Sequence, residues 1–343
     1  MRILGLETSC DDTSASIYDT HTGVLSMVLS SQERFHQKYG GIVPEIASRK
    51  HLEVLPWVAE HALSESKTSW SEVDLLAVTH GPGLVGSLLV GVDYAKTLAM
   101  ILEKPIVAVN HLEGHLLSPL IENSAIPFPF LGIIISGGHT EFILVKNYGK
   151  YQKLAETVDD ACGEALDKFG KLIGIPYPAG PSIEKLAQKG RTDAFAFPLP
   201  KIKKSSLALS FSGLKTSAML SLQSLGVNPT DQQLANLTAS YQNALFHQIV
   251  VVCNRILKLY PVKAISLSGG VAANQTLRDL LSQSINLPFY FPSRSLCTDN
   301  ASMIAFAGYH QYRLKGSDSL RFPVLSRLSI GAVYQETCSE VNE

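Results

Sequence analysis

One design is written twice in this chain, and that repetition constrains the fold more than any single residue does. Near the start, RILGLETSCDDTSASIYD reads as an apolar run, a polar turn around 9–12 and a second β-prone run, a strand-turn-strand unit. FLGIIISGGHTEFILVK repeats it, with runs over 131–135 and 141–145 flanking the turn Ser136-Gly137-Gly138-His139. A second unit also recurs. DLLAVTHGPGLVGSLLVGVDYAKTLAM and KAISLSGGVAANQTLRDLL each read as a strand, a glycine turn and a helix. Strands that end in glycine turns and feed helices build mixed sheets covered by helices, with ligands collecting at the carboxyl ends of the strands. The expected class is therefore α/β, with two duplicated lobes of mixed sheet and flanking helices enclosing a cleft. At 343 residues the chain is long enough for two such cores. The division expected is 1–126 for the first lobe, with a returning helix over 300–336, then 127–299 for the second lobe and a flexible tail over 337–343.

Bulk properties narrow the class. With 45% hydrophobic and 17% charged residues, and no run of about 18 uncharged apolar residues, the chain reads as globular rather than disordered or membrane-spanning. Acidic and polar residues from Glu7 to Asp12 cut short any leader-like apolar run, so a cytoplasmic address is expected. The five cysteines, Cys10, Cys162, Cys253, Cys297 and Cys338, are scattered without C-x-x-C spacing, which points to reduced thiols. A formal charge of -1 gives no global attraction to nucleic acid, so RNA contact would rest on local patches or a partner. Lys201, Lys203 and Lys204 form one candidate patch, or simply a solvated loop.

Three glycine loops, Gly81-Pro82-Gly83, Ser136-Gly137-Gly138 and Gly269-Gly270, could bring backbone amides close to phosphate, although each alone is an ordinary turn. The paired layout resembles the actin, heat-shock-chaperone and sugar-kinase superfamily, in which a nucleotide sits between related lobes. That likeness concerns fold and assigns no chemistry.

VNHLEGHLLSPL carries His111 and His115 at i, i+4 spacing, which on a helix presents both imidazoles on one face. They are either packing histidines or two ligands of one metal. The zinc-protease pattern H-E-x-x-H is broken, because Leu112 stands where the general base belongs and Glu113 is about 100° further round a helix. In SLCTDNASMIAFAG, Asp299 is either a third ligand or a helix N-cap. Two histidines and one carboxylate leave positions open on an ion, which suits iron(II) and admits zinc or manganese.

Taken together, ETSCDDT, QKYGGIVPEIASRKH, GPGLVGSLLVG, NHLEGHL, SGGHT, GEALDKFGKLIG, FSGLKT, SGGVAAN and CTDNASM resemble the tRNA adenosine threonylcarbamoyltransferase family, formerly called glycoproteases, across residues 7 to 303. The resemblance implies transfer of a threonylcarbamoyl group from threonylcarbamoyl-adenylate to the exocyclic amine of the adenosine beside the anticodon of tRNA. It implies metal ligands at His111, His115 and Asp299, with one divalent ion, iron by preference. Nucleotide and substrate contacts fall on Ile134, Ile135, Ser136, Gly137, Gly138, Asp167, Gly180 and Asn274, with Glu184 where the family often carries aspartate. Asp167 is otherwise an exposed helix carboxylate, and Asn274 a cap or turn residue. Asp11, in the first turn, is the candidate for aligning the amine or taking its proton, although Asp11 and Asp12 also fit an Asx turn. Asp12 stands where glutamate is usual, and Ala179 replaces a glycine. The implied partners are tRNA, an inactive paralogue (TsaB-like) docking on the first lobe around QKYGGIVPEIASRKHLEVL, and a small ATPase (TsaE-like). There Ile42, Val43, Ile46 and Leu52 are docking surface or core.

Overall fold

The computed structural model describes residues 1–198 and 207–331. Lys201, Lys203, Lys204, Cys338 and the tail expected over 337–343 lie outside the described residues. The chain divides into two compact units. Unit 1 comprises Met1–Ile126, Val145–Gln152 and the chain from Pro292 onward, and unit 2 comprises Pro127–Leu144 and Lys153–Phe291. The boundary expected after 299 therefore falls at Phe291, which puts Asp299 in unit 1.

Unit 1 holds β1 (Arg2–Glu7), β2 (Asp12–Asp19), β3 (Gly23–Ser31), β4 (Leu75–Gly81) and β5 (Ile106–Asn110), with helices α1 (Glu33–Gln37), α2 (Pro44–Glu65), α3 (Val85–Leu102) and α4 (His111–Glu122). In sheet order the strands run β3-β2-β1-β4-β5. β1 pairs antiparallel with β2 and parallel with β4, so the sheet is mixed. The second sheet is built from β6 (Phe130–Ile135), β7 (Thr140–Asn147), β8 (Lys150–Glu156), β9 (Ala264–Ser268) and β10 (Phe289–Tyr290), in the order β10-β9-β6-β7-β8. Read from its other edge, this is the first sheet's order with every strand replaced by its later counterpart. The turn at 136–139 is too short for anything but an antiparallel β6–β7 pair, and β9 lies parallel to β6. The duplication seen in the sequence is thus a duplication of topology.

Helices α5 (Cys162–Leu172), α6 (Gly180–Ala187), α7 (Ser212–Ser224), α8 (Asp231–Leu259) and α9 (Gln275–Ser284) complete unit 2. α8 begins at a capping box in which Thr230 and Gln233 satisfy each other's amides, a local signal that fixes its start.

In unit 1 the apolar residues of β1, β2 and β4 alternate into a core with α2 and α3, where Leu4, Leu6, Ile17, Leu55 and Val58 are almost fully buried. Each such side chain removed from water contributes about 1.5–3 kcal/mol. α3 is long and apolar enough to cross a bilayer by length and composition, yet it carries Asp93 and Lys96 and packs against α2 and β4. After α10 (Arg294–Cys297), α11 (Ala301–Lys315) packs along β1, β2, β4 and β5. The approach depends on small residues. A Cβ at Gly5 would lie 2.2 Å from the Ala301 carbonyl oxygen, and one at Gly308 would lie 2.5 Å from Ala77 Cβ. The helix expected over 300–336 is shorter than that, because Gly316 closes α11 with a φ of 80°, a left-handed conformation that ends a helix.

Candidate active site and metal centre

α4 begins where the first histidine is placed. The Asn110 side chain accepts from the amides of Leu112 at 2.8 Å and Glu113 at 3.4 Å, capping the helix one residue before His111. The i, i+4 spacing then brings the His111 and His115 rings to a centroid separation of 4.7 Å. Gly114 does not weaken this helix as its propensity suggests. A Cβ there would come within 2.8 Å of Ile304 Cδ1, so α4 and α11 pack closely at this point and a side chain at 114 would require Ile304 to shift. Tertiary packing outweighs a propensity cost of about 1 kcal/mol.

Asp299 stands two residues before α11, and the cap of that helix is Asn300, whose side chain accepts from the Met303 amide at 3.0 Å. The N-cap alternative for Asp299 is thereby removed. α11 is pinned by the Ala301 amide donating to Ser14 Oγ at 3.0 Å and by the Ser16–Ser302 hydroxyl pair at 2.8 Å, so the position of Asp299 is set by the sheet. Its Oδ1 lies 3.0 Å from His115 Nε2 and 3.6 Å from His111 Nε2. One ligand atom from each of the three residues lies within 4.8 Å of the other two. Two imidazole nitrogens and one carboxylate oxygen converging from a buried wall fit a divalent first-row ion and leave coordination positions open.

The electrostatics of this corner are acidic. Glu7 is fully buried beside His111 at 2.9 Å. Burial alone would raise the Glu7 carboxyl, but the charge and hydrogen bond of His111 outweigh it and hold the carboxyl below its ordinary value. Burial alone would likewise lower His111, and Glu7 with Asp299 instead pushes it up to about 9. Asp11 is pushed up to about 6 and Asp12 to about 7, each by burial first and by the Asp299 charge second. Cys10 is held far up by burial and by Asp11, Asp299 and Glu7. Glu113 Oε1 accepts from the Tyr151 hydroxyl at 2.8 Å.

Unit 2 carries the remaining candidates. The Ile134 and Ile135 side chains are 0% exposed and belong to the core, so only their backbone can face a ligand. The turn after them is held by the Ser136 amide donating to the His139 carbonyl at 2.8 Å and by the His139 amide donating to Ser136 Oγ at 3.1 Å. Gly137 and Gly138 are exposed, and a Cβ at either would meet nothing within 4 Å. Gly180 and Gly270 are equally open. The Gly81-Pro82-Gly83 loop is filled by its own chain, for a Cβ at Gly83 would sit 2.5 Å from the Ser9 carbonyl oxygen and one at Gly81 2.4 Å from that of Leu325.

Asp167 is not an exposed helix carboxylate. Burial raises its pKa, and its Oδ1 accepts from the Ala179 amide at 2.7 Å, fixing the bend into α6. Ala179 is almost fully buried with a φ of -85°, which a residue with a Cβ adopts freely. Glu184 accepts from the Gln275 amide at 2.7 Å, joining α6 to the start of α9. Asn274 caps α9 through the Leu277 amide and is buried against Gln242. Asp167, Glu184 and Asn274 therefore organise the two helix starts that flank Gly180 and Gly270. The structure gathers the metal candidates with Asp11 in unit 1, and the substrate candidates in unit 2. Sequence reasoning missed Glu7, a charged residue that ends an otherwise apolar strand.

The profile of TsaD, tRNA N6-adenosine threonylcarbamoyltransferase, matches residues 23–306. A protein of that name from Thermodesulfovibrio yellowstonii is 46% identical over 326 residues, covering 93% of this chain and 96% of the relative. One from Clostridium kluyveri is 42% identical over 335 residues, covering 96% and 98%. Among solved structures, full-length HypF in its phosphate- and nucleotide-bound form superposes with a TM-score of 0.61 at 14% identity, over 92% of this chain and 56% of that one. Component A of the Acidaminococcus fermentans (R)-2-hydroxyglutaryl-CoA dehydratase superposes with a TM-score of 0.54 at 15% identity, over 91% and 99%. These two likenesses show the fold alone.

Proposed function

The chain belongs to the tRNA N6-adenosine threonylcarbamoyltransferase family, a transferase family that modifies tRNA, and on that premise we propose the following chemistry for it. The threonylcarbamoyl group of threonylcarbamoyl-adenylate is transferred to the exocyclic amine of the adenosine next to the anticodon, in tRNAs that read codons beginning with adenine, and AMP leaves. The observation that carries this reading is the convergence of His111, His115 and Asp299 in a chain whose 46% identical relative bears that name.

We assign one divalent ion to those three residues, iron(II) by preference, with zinc and manganese compatible with the same donors. When bound, such an ion supplies Lewis acidity that offsets negative charge on a phosphate leaving group. Asp11 is the proton acceptor in this scheme. Its carboxyl, pushed up to about 6 by burial and then by Asp299, is ionised at neutral pH yet basic enough to accept a proton from an attacking amine. The amides of Gly137 and Gly138 are assigned to adenylate oxygens. The openness around both glycines supports this, since no neighbouring protein atom accounts for the absence of a side chain. Asp167 and Asn274 are assigned to the nucleoside side through the helix starts they hold.

The partners proposed are tRNA, a small ATPase and an inactive paralogue, in the cytoplasm where tRNA is found. The paralogue is assigned to α2 and α3. Leu52 is 68% exposed and Leu89 43% exposed, and both border a cavity of about 330 Å³ with Leu55, Pro56 and Tyr94. Ile42, Val43 and Ile46 are half-buried beside that face.

The reading is tested by incubating the protein and these partners with threonylcarbamoyl-adenylate and unmodified tRNA, and quantifying the modified nucleoside by mass spectrometry. Wild type forms it, and His111→Ala and His115→Ala lose at least about 100-fold in rate. No modified nucleoside from the wild type with every component present sinks the proposal.

A further inference from the structure

Resting on the metal site just proposed, we propose that Glu7 is a positioning residue that fixes the proton of His111 on Nδ1 and so presents Nε2 to the ion. Glu7 ends β1 and is 0% exposed. Its Oε1 accepts from the Ser9 amide, and its Oε2 accepts from Thr79 Oγ1 at 2.6 Å and lies 2.9 Å from His111 Nδ1. Both Glu7 oxygens already act as acceptors, Oε1 from the Ser9 amide and Oε2 from the Thr79 hydroxyl, so the Nδ1–H tautomer of His111 is the one that completes the set at Oε2. His111 therefore carries hydrogen on Nδ1, and its other nitrogen is the one that lies 3.6 Å from Asp299 Oδ1. Only one orientation and one tautomer of this ring satisfy Glu7, which pre-sets the ligand before any ion arrives.

The internal duplication offers a comparison for this carboxylate. Superposing Leu4-Gly5 on Leu131-Gly132 preserves the strand pairing of both sheets, since Gly5 lies opposite Ala77 as Gly132 lies opposite Ser266. Glu7 then falls on Ile134, which is equally buried and apolar and lies opposite Ser268. The position accepts isoleucine in one sheet. A buried carboxylate in the other costs several kcal/mol in desolvation, and its donors must offset that cost. Two of those donors, Ser9 and Thr79, hold Glu7 in place, and the third is the ring of the proposed ligand. Among the described residues His115 has no such support, because its Nδ1 is buried with no hydrogen-bond partner there. Pre-organisation of the imidazole pair therefore rests on the Glu7 side.

The test uses the full chain and zinc as the probe. In competition with a chromophoric chelator at fixed pH, Glu7→Gln is expected to bind Zn²⁺ about 10–100-fold more weakly than wild type, with circular dichroism of the zinc-free proteins superimposable. Glutamine keeps the shape but cannot accept from all three neighbours at once. In parallel, long-range ¹⁵N–¹H spectra of zinc-loaded wild type labelled at histidine nitrogen are expected to show His111 protonated on Nδ1 and zinc on Nε2. This second measurement decides alone if the variant fails to fold. Unchanged zinc affinity in a folded Glu7→Gln protein, or zinc on His111 Nδ1, overturns the inference and leaves the metal site standing. A wild type that binds no zinc, iron or manganese overturns the site and the inference together.

Discussion

The two four-residue turns that close the paired hairpins, 8–11 in unit 1 and 136–139 in unit 2, start from one topology and end in opposite chemistry. The first is packed and charged. Thr8 Oγ1 donates to the Ser87 carbonyl at 2.9 Å, the Ser9 carbonyl lies against Gly83, and the Cys10 carbonyl lies 3.0 Å from His51 Nε2 and accepts from the Ser87 hydroxyl at 3.2 Å. Its side chains include Asp11, and Asp12 follows directly. The second turn is bare. Ser136 and His139 tie its ends, and a Cβ at Gly137 or Gly138 would meet nothing within 4 Å. Duplication supplied two copies of one loop. One carries carboxylates suited to cations and protons, and the other carries two glycines with open space where side chains would stand.

The contrast can be broken most sharply at its glycines. Gly83→Val would drive a side chain into the Ser9 carbonyl oxygen at 2.5 Å, where both partners are backbone, so a loss of about 3 kcal/mol or more is expected in urea unfolding. Gly138→Val meets nothing within 4 Å. Its unfolding midpoint should stay within about 0.5 kcal/mol of wild type while threonylcarbamoyl transfer falls by about 100-fold. If Gly138→Val keeps full transfer, the open turn is not a ligand surface.

A smaller effect sharpens the acidic side. Asp12 is pushed up to about 7, by burial first and Asp299 second, against an unfolded value of about 4. The folded protein thus keeps a proton that the unfolded chain has released. This contribution is present at low pH and is lost as pH rises from about 4 to 7. Asp12→Asn carries no such proton and should be more stable than wild type at pH 8 by about 1–2 kcal/mol, with the gap closing toward pH 4. A flat difference between pH 4 and pH 8 would show that Asp12 is not held neutral by its surroundings.

Much of this was legible before any coordinates. The repeated apolar run, polar turn and glycine-to-helix pattern announced two mixed sheets, because strand and helix periodicities are local properties of the sequence. The histidine spacing placed both rings on one face for the same reason. What sequence could not weigh was tertiary closeness. Asp299 reads equally as a cap until Asn300 takes that role. The glycines of Gly81-Pro82-Gly83 and Ser136-Gly137-Gly138 look alike in one dimension, yet the first are filled by Leu325 and Ser9 and the second are open. Glu7 was in plain view within ETSCDDT. Its meaning depended on His111, 104 residues away, which no local pattern reports.

The most direct test of the metal centre is the amount of iron, zinc and manganese per chain in purified protein, measured by elemental mass spectrometry for wild type and for His111→Ala/His115→Ala. About one ion per wild-type chain is expected, and none in the double variant with its circular dichroism intact. A wild type that carries no ion after exposure to all three metals, or a double variant that carries as much as wild type, would contradict the assignment of His111, His115 and Asp299 as a metal site.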